Sequence, residues 1–139
     1  MPEDIDPELE ELRKKRREMY VKQADEEKQR FGWPDTPMVL TDANFRETVA
    51  LYPLMLVDLW APWCGPCKML GPVIEQLARE LKGKVVFGKL NVDENPQTAS
   101  SFKVMSIPTM LVIKERELVD RITGAVPKAT ILQKLQRFL

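Results

Sequence analysis

Seven residues, Leu54-Met55-Leu56-Val57-Asp58-Leu59-Trp60, form an almost unbroken apolar run with one carboxylate inside it. A strand with one wet face alternates apolar and polar residues. A run without alternation belongs to a strand covered on both faces, which requires helices above and below a sheet. The flanking sequence agrees. Leu70, Val73, Ile74, Leu77, Ala78 and Leu81 recur at helical spacing, predicting an amphipathic helix in which Pro72 should introduce a kink. Asp42 to Leu51 looks like a short helix ahead of the run. Val85 to Val92 reads as a second strand, and Asn95-Pro96 opens another short helix. Thr109 to Ile113 and Leu118 to Ile122 are strands close enough for a hairpin. A last helix starts at Pro127 and carries Ile131, Leu132, Leu135, Phe138 and Leu139 on its apolar side. Strands alternate with helices and then two strands pair directly, so the class is α/β, with a central mixed sheet flanked by helices.

The chain divides near Thr36, into a charged helical extension over 1–35 and a domain over 36–139. The first part has good helix-end signals. Asp6 can cap, Pro7 suits the first helical position, and Glu8, Glu10 and Glu11 favour the positive end of the dipole. Gly32 and Pro34 end the helix. Glu10–Lys14, Glu11–Lys15, Glu18–Lys22 and Glu26–Arg30 are spaced for i,i+4 pairing. The apolar stripe, Ile5, Leu9, Leu12 and then Met19 or Tyr20, is interrupted by Arg16 and is thin for a coiled coil. A solvated arm and a docking or self-associating arm both fit it.

No apolar run approaches the roughly 18–20 residues a membrane-spanning helix needs, and Met1 to Arg30 is too charged for a signal peptide. The expectation is a cytoplasmic protein. With 21 basic and 21 acidic side chains, charge gives no reason to expect nucleic acid or membrane as a partner. The basic run Arg13 to Arg17 lies between Glu10, Glu11 and Glu18, as on a solvated helix face.

Two features bound the chemistry: there is no histidine, and there are two cysteines, Cys64 and Cys67. The first rules out Ser–His and Cys–His catalysis and His-based metal sites. The second rules out a four-thiolate zinc site within one chain. Cys64-Gly65-Pro66-Cys67 falls where the buried strand meets the helix. There Cys64 would meet the free N–H groups and positive dipole of a helix start, which favour its thiolate. Gly65 lets the backbone turn tightly, and Pro66 supplies a fixed φ for the first helical turn. A structural bridge would gain little from so small a ring, and a metal shared between two chains is a further alternative. Asp58 stands alone among apolar neighbours. Burial would raise its pKa, fitting it to act as a base near neutral pH.

The stretch Val57-Asp58-Leu59-Trp60-Ala61-Pro62-Trp63-Cys64-Gly65-Pro66-Cys67-Lys68 resembles the active-site signature of the thioredoxin family, and the likeness extends over roughly Thr36 to Leu139. The resemblance implies the thioredoxin fold and a protein disulfide reductase working through a mixed-disulfide intermediate. Cys64 would attack, Cys67 would resolve, Asp58 would take the proton of Cys67, and Lys89 would tune that transfer. It also implies that Ile107-Pro108-Thr109 is a cis-proline segment whose Ile107 backbone pairs with an extended substrate, a short β-augmentation. Trp63, Ile107, Pro108, Gly124 and Ala125, with Gly65 and Pro66, would make the substrate-binding surface. The implied partners are disulfide-containing proteins and an external reductase of the thioredoxin-reductase type; no cofactor or metal is expected in the chain. The Gly-Pro between the cysteines goes with reductants rather than with disulfide isomerases or oxidants, which remain rivals. An interaction module that uses the arm, with the Cys pair secondary, is the rival from another class. One departure stands out. Where the family usually has Gly between its last two strands, this chain has Lys114-Glu115-Arg116-Glu117, so a different turn type or local strain is expected there.

Overall fold

The computed structural model of the chain describes residues 6–139, the side chains at 24–31 excepted. The chain divides at Gly32/Trp33 into two compact units. The first is built on α1, Pro7–Phe31. Its start follows the end signals: Asp6 Oδ1 accepts from the Glu8 backbone N–H at 3.0 Å, with acidic Glu8 and Glu10 in the first turn. Residues 6–23 are all exposed, including Leu9, Leu12, Met19 and Tyr20. Of the spaced charges, Glu10 approaches Arg13 at 3.8 Å, and none of the expected i,i+4 pairs closes among the described residues. Exposed pairs of this kind contribute little to stability. Ile5 and the Glu26–Arg30 pair lie outside the described residues.

The second unit runs β1 (Met38–Leu40), α2 (Phe45–Val49), β2 (Leu54–Trp60), α3 (Gly65–Glu80), β3 (Val86–Asn91), α4 (Pro96–Ser101), β4 (Thr109–Lys114), β5 (Glu117–Thr123) and α5 (Lys128–Gln136). The sheet order is β1-β3-β2-β4-β5. The pairs β1/β3 and β2/β3 are parallel, while β2/β4 and β4/β5 are antiparallel. β2 is central, and Leu54 to Leu59 are all buried, as the unbroken apolar run requires. Its two faces feed separate cores. Leu54 and Leu56 pack with Leu70, Ile74 and Leu77 of α3 and with Ile131 and Leu135 of α5. Met55, Val57 and Leu59 pack with Leu40 and with Phe45 and Val49 of α2.

Several local outcomes differ from the expectations. β1 is too short, at three residues, for the sequence to show a period there; Leu40 nonetheless packs so closely that a Cβ on Gly88 would come 2.6 Å from its Cδ1. α2 is shorter than Asp42 to Leu51 because Asp42 is used elsewhere. Its Oδ1 accepts from the Thr98 N–H at 2.8 Å and the Thr98 hydroxyl at 2.7 Å, and its Oδ2 accepts from the Gln97 N–H at 3.1 Å, capping α4. α3 is, as the spacing predicts, one helix with Pro72 inside it.

The β4–β5 turn keeps the short connection and takes the strain. Lys114 pairs with Glu117, and between them Glu115 and Arg116 sit at φ 49° and 71°, a region that favours glycine and asparagine. The Glu115 N–H donates to Pro53 O at 2.9 Å. The double variant Glu115→Asn, Arg116→Gly is expected to stabilise the protein by roughly 1–2 kcal/mol, the penalty for a side-chain residue in this region. Urea unfolding checks it, as a rise in midpoint at unchanged slope; an unmoved midpoint would mean that the turn stores no strain.

Candidate active site

β2 delivers the chain to the edge of the sheet at Trp60. A turn closed by Cys64 N–H to Ala61 O at 3.1 Å leads into α3. Cys64 is the N-cap of α3, in extended backbone, and its Sγ accepts from the Cys67 N–H at 3.2 Å. The two cysteines are joined as a disulfide, with Cα atoms 5.3 Å apart, and both are buried. Pro66 sits in the first turn of α3, where its missing N–H sacrifices no helical bond. Gly65 differs from expectation. It is the first residue of α3 and is not among the glycines at positive φ, and a Cβ there would meet nothing within 4 Å. No tight turn requires it; its lack of a side chain leaves the surface beside the disulfide open.

Three other segments converge on this point. The Ile107–Pro108 peptide is cis, and Ile107 packs on the cluster of Ala61, Cys64 and Cys67. The Thr109 hydroxyl donates to Ser106 O at 2.6 Å, closing the turn that carries this peptide. Gly124, at φ 92°, brings its N–H to Pro108 O at 2.8 Å. Ala125 follows it, exposed, and no contact beyond that adjacency ties it to the site. Trp63 is 70% exposed, and its indole N–H donates to Asp93 Oδ2 at 3.0 Å. Between Trp63 and Ile107 opens a cavity of about 320 Å³, completed by Val92, Ala99, Val104, Met105 and Ser106. Sequence reasoning missed Asp93 and those five lining residues.

Asp58, on the strand that leads to the Cys pair, is fully buried, with neither carboxyl oxygen hydrogen-bonded. It alternates along β2 with Leu54 and Leu56 and so faces α3, on whose buried side Cys67 also lies. Burial pushes its pKa up to about 6, against the opposing effect of the Lys89 charge. Lys89 is its register partner on β3. Among the described residues no group of three or more acidic, cysteine or histidine side chains could hold a metal ion.

The sequence profile of the thioredoxin family matches residues 36–137. The chain belongs to the thioredoxin family. It is 49% identical over 105 residues to a thioredoxin of Synechocystis, a match that covers 75% of this chain and 97% of the relative. It is 53% identical over 100 residues to thioredoxin 2 of Chlorobaculum tepidum, covering 71% and 92%. Among solved structures, a mutant thioredoxin from Halobacterium salinarum superimposes with a TM-score of 0.73 at 29% identity, covering 77% of this chain and 94% of that one. Fold, family and dithiol pair agree: this thioredoxin-family protein is a thiol–disulfide oxidoreductase with disulfide reductase function.

Proposed function

We propose that the protein reduces disulfides of other proteins in a fixed order of thiols. The Cys64 thiolate attacks a substrate sulfur, forming a mixed disulfide and expelling the first substrate thiolate. Cys67 then attacks Cys64 as its proton passes to Asp58, the second substrate sulfur leaves, and the Cys64–Cys67 disulfide remains. Two electrons move from the enzyme dithiol to the substrate. The observation that carries this order is the placing of the cysteines on α3. Cys64 caps the helix and accepts an N–H at its sulfur, the setting that favours a thiolate. Cys67 lies on the buried side that faces Asp58.

Lys89 tunes the carboxyl electrostatically. Trp63, Ile107, Pro108 and Gly124 receive an extended substrate segment, with Ala125 beside them and with Gly65 and Pro66 flanking the sulfurs. Residues 36–139 carry this chemistry, and residues 1–35, which include α1, are an extension to it. The oxidised enzyme is recharged by an external dithiol donor of the thioredoxin-reductase type, and the reducing environment this requires fits a cytoplasmic setting. Among the described residues no helix is long and apolar enough to cross a membrane.

The test is the reduction potential of the Cys64–Cys67 couple, titrated against a dithiol buffer. A value near −270 mV, typical of thioredoxins, supports a general reductant. A value near the −180 or −120 mV of isomerases and strong oxidants would reverse the physiological direction while keeping the site.

A further inference from the structure

Asp58, Trp60 and Lys89 form a group whose geometry the steps above do not use. Asp58 and Trp60 are two apart on β2, so both point to the α3 side of the sheet, and Lys89 pairs in register with Asp58 from the neighbouring parallel strand β3. A lysine directly opposite a fully buried carboxylate would ordinarily close an ion pair, because attraction between charges is strong where water is excluded. This one does not. Neither Asp58 oxygen has a hydrogen-bond partner, and the ion pairs formed among the described residues lie elsewhere. The Lys89 ammonium lies instead over the Trp60 ring, 5.1 Å from its centre, within the range of a cation–π interaction and on the aromatic side chain that supports it best. α3 leaves room there: a Cβ on Gly71 would stand 3.7 Å from Lys89 Nζ, and Gly71 is one helical turn beyond Cys67.

We propose that Trp60 is a positioning residue for the proton-transfer step, its ring holding the Lys89 ammonium beside the Asp58 carboxyl rather than on it. The arrangement has two consequences. The positive charge stays close enough to moderate the cost of ionising a buried acid. The carboxyl oxygens stay unoccupied, so one of them can receive the Cys67 proton while the Cys67 sulfur bonds to Cys64 and the substrate sulfur leaves. Were the ammonium seated on the carboxylate, the pair would hold Asp58 ionised and weaken it as a base. Of the elements packed around Asp58, β3 brings Lys89 and β4 the apolar Met110 in register, and α3 carries Cys67 on its buried side. This inference rests on Asp58 being the base.

The test follows the Asp58 carboxyl by carbon NMR in the full chain, kept in its disulfide form so that no cysteine titrates with it. Trp60→Leu is expected to lower the Asp58 midpoint by about one pH unit, as Lys89 falls onto the freed carboxylate. Trp60→Phe, which retains a weaker ring, should lower it less. In a Lys89→Met background, Trp60→Leu should produce no fall. A midpoint that is unchanged or raised in Trp60→Leu overturns the proposal, as does an equal fall with and without Lys89. Should Trp60→Leu fail to fold, Trp60→Phe with Lys89→Met closes the same cycle. The readout needs no turnover, so the two readings fail separately. Undiminished activity in Asp58→Asn would sink Asp58 as the base while leaving the measured restraint in place.

Discussion

Cys67→Ser is expected to trap the protein on its substrate as a covalent mixed disulfide, whereas Cys64→Ser leaves it unable to begin. The difference follows from where each sulfur sits. Cys64 caps α3, with its Sγ accepting from the Cys67 N–H, the setting that favours a thiolate, and it directly follows the exposed Trp63, so the first attack is assigned to it. In the second step Cys67 attacks from within the same helical turn. An internal nucleophile of this kind acts at an effective concentration on the order of 10⁵ M or more. Replacing it with serine leaves resolution to external thiols at millimolar concentration, so release should slow by several orders of magnitude. Incubation with a disulfide-bonded protein substrate, followed by mass measurement without reductant, checks this. The Cys67→Ser protein should carry the adduct; the Cys64→Ser protein should carry none, and its turnover should fall to background. An adduct on the Cys64→Ser variant alone would reverse the assigned order of the two thiols.

How much of this could be read before the coordinates depended on whether a signal was local. β2 was legible because burial on both faces abolishes alternation, and α3 and α5 because their apolar residues recur at helical spacing. The position of the Cys pair at a strand–helix junction, the burial of Asp58 and the unfavourable Glu115-Arg116 turn each announced themselves within a few residues. What stayed hidden was built from distant segments. Asp42 left α2 to cap α4, more than fifty residues away, and nothing near Asp42 in sequence reveals that. β1, at three residues, is too short to show a period.

The Trp63–Asp93 bond and the cavity that includes Val104 and Met105 likewise join separate loops. β2 and β3 are parallel neighbours, so the loops leaving their C-terminal ends emerge at the same sheet edge. Trp63 and Asp93 lie three and two residues past those ends, which makes their meeting a consequence of topology. Gly65 is the opposite case: its type suggests a tight turn, but the backbone passes there without positive φ.

The contribution of Asp58 to folding stability should fall as pH rises from about 4 to 6, and replacing Asp58 should remove that fall. An ordinary aspartate titrates at 3.8, and burial in the folded protein moves Asp58 to about 6. Between those values the folded state holds a proton that the unfolded chain has released. Stability therefore falls with rising pH across this window, is unaffected by this group below it, and levels off above it. At 1.36 kcal/mol per pH unit, the displacement amounts to about 3 kcal/mol by neutral pH. Asp58→Leu puts an apolar side chain into a strand already rich in leucine and eliminates two buried oxygens that have no partner. It should be more stable than the natural protein by about 3 kcal/mol at pH 7.5 and by much less at pH 4. Urea midpoints of the disulfide form at pH 4, 5, 6 and 7.5 measure the difference, and the other titrating groups are common to both proteins. If the gap stays constant across that range, Asp58 is not titrating in the folded state near 6. The same substitution should slow the resolving step, because Cys67 then gives its proton to water or buffer instead of a carboxylate held behind it. A group that costs the fold stability at neutral pH would then be the one that helps to complete the reaction.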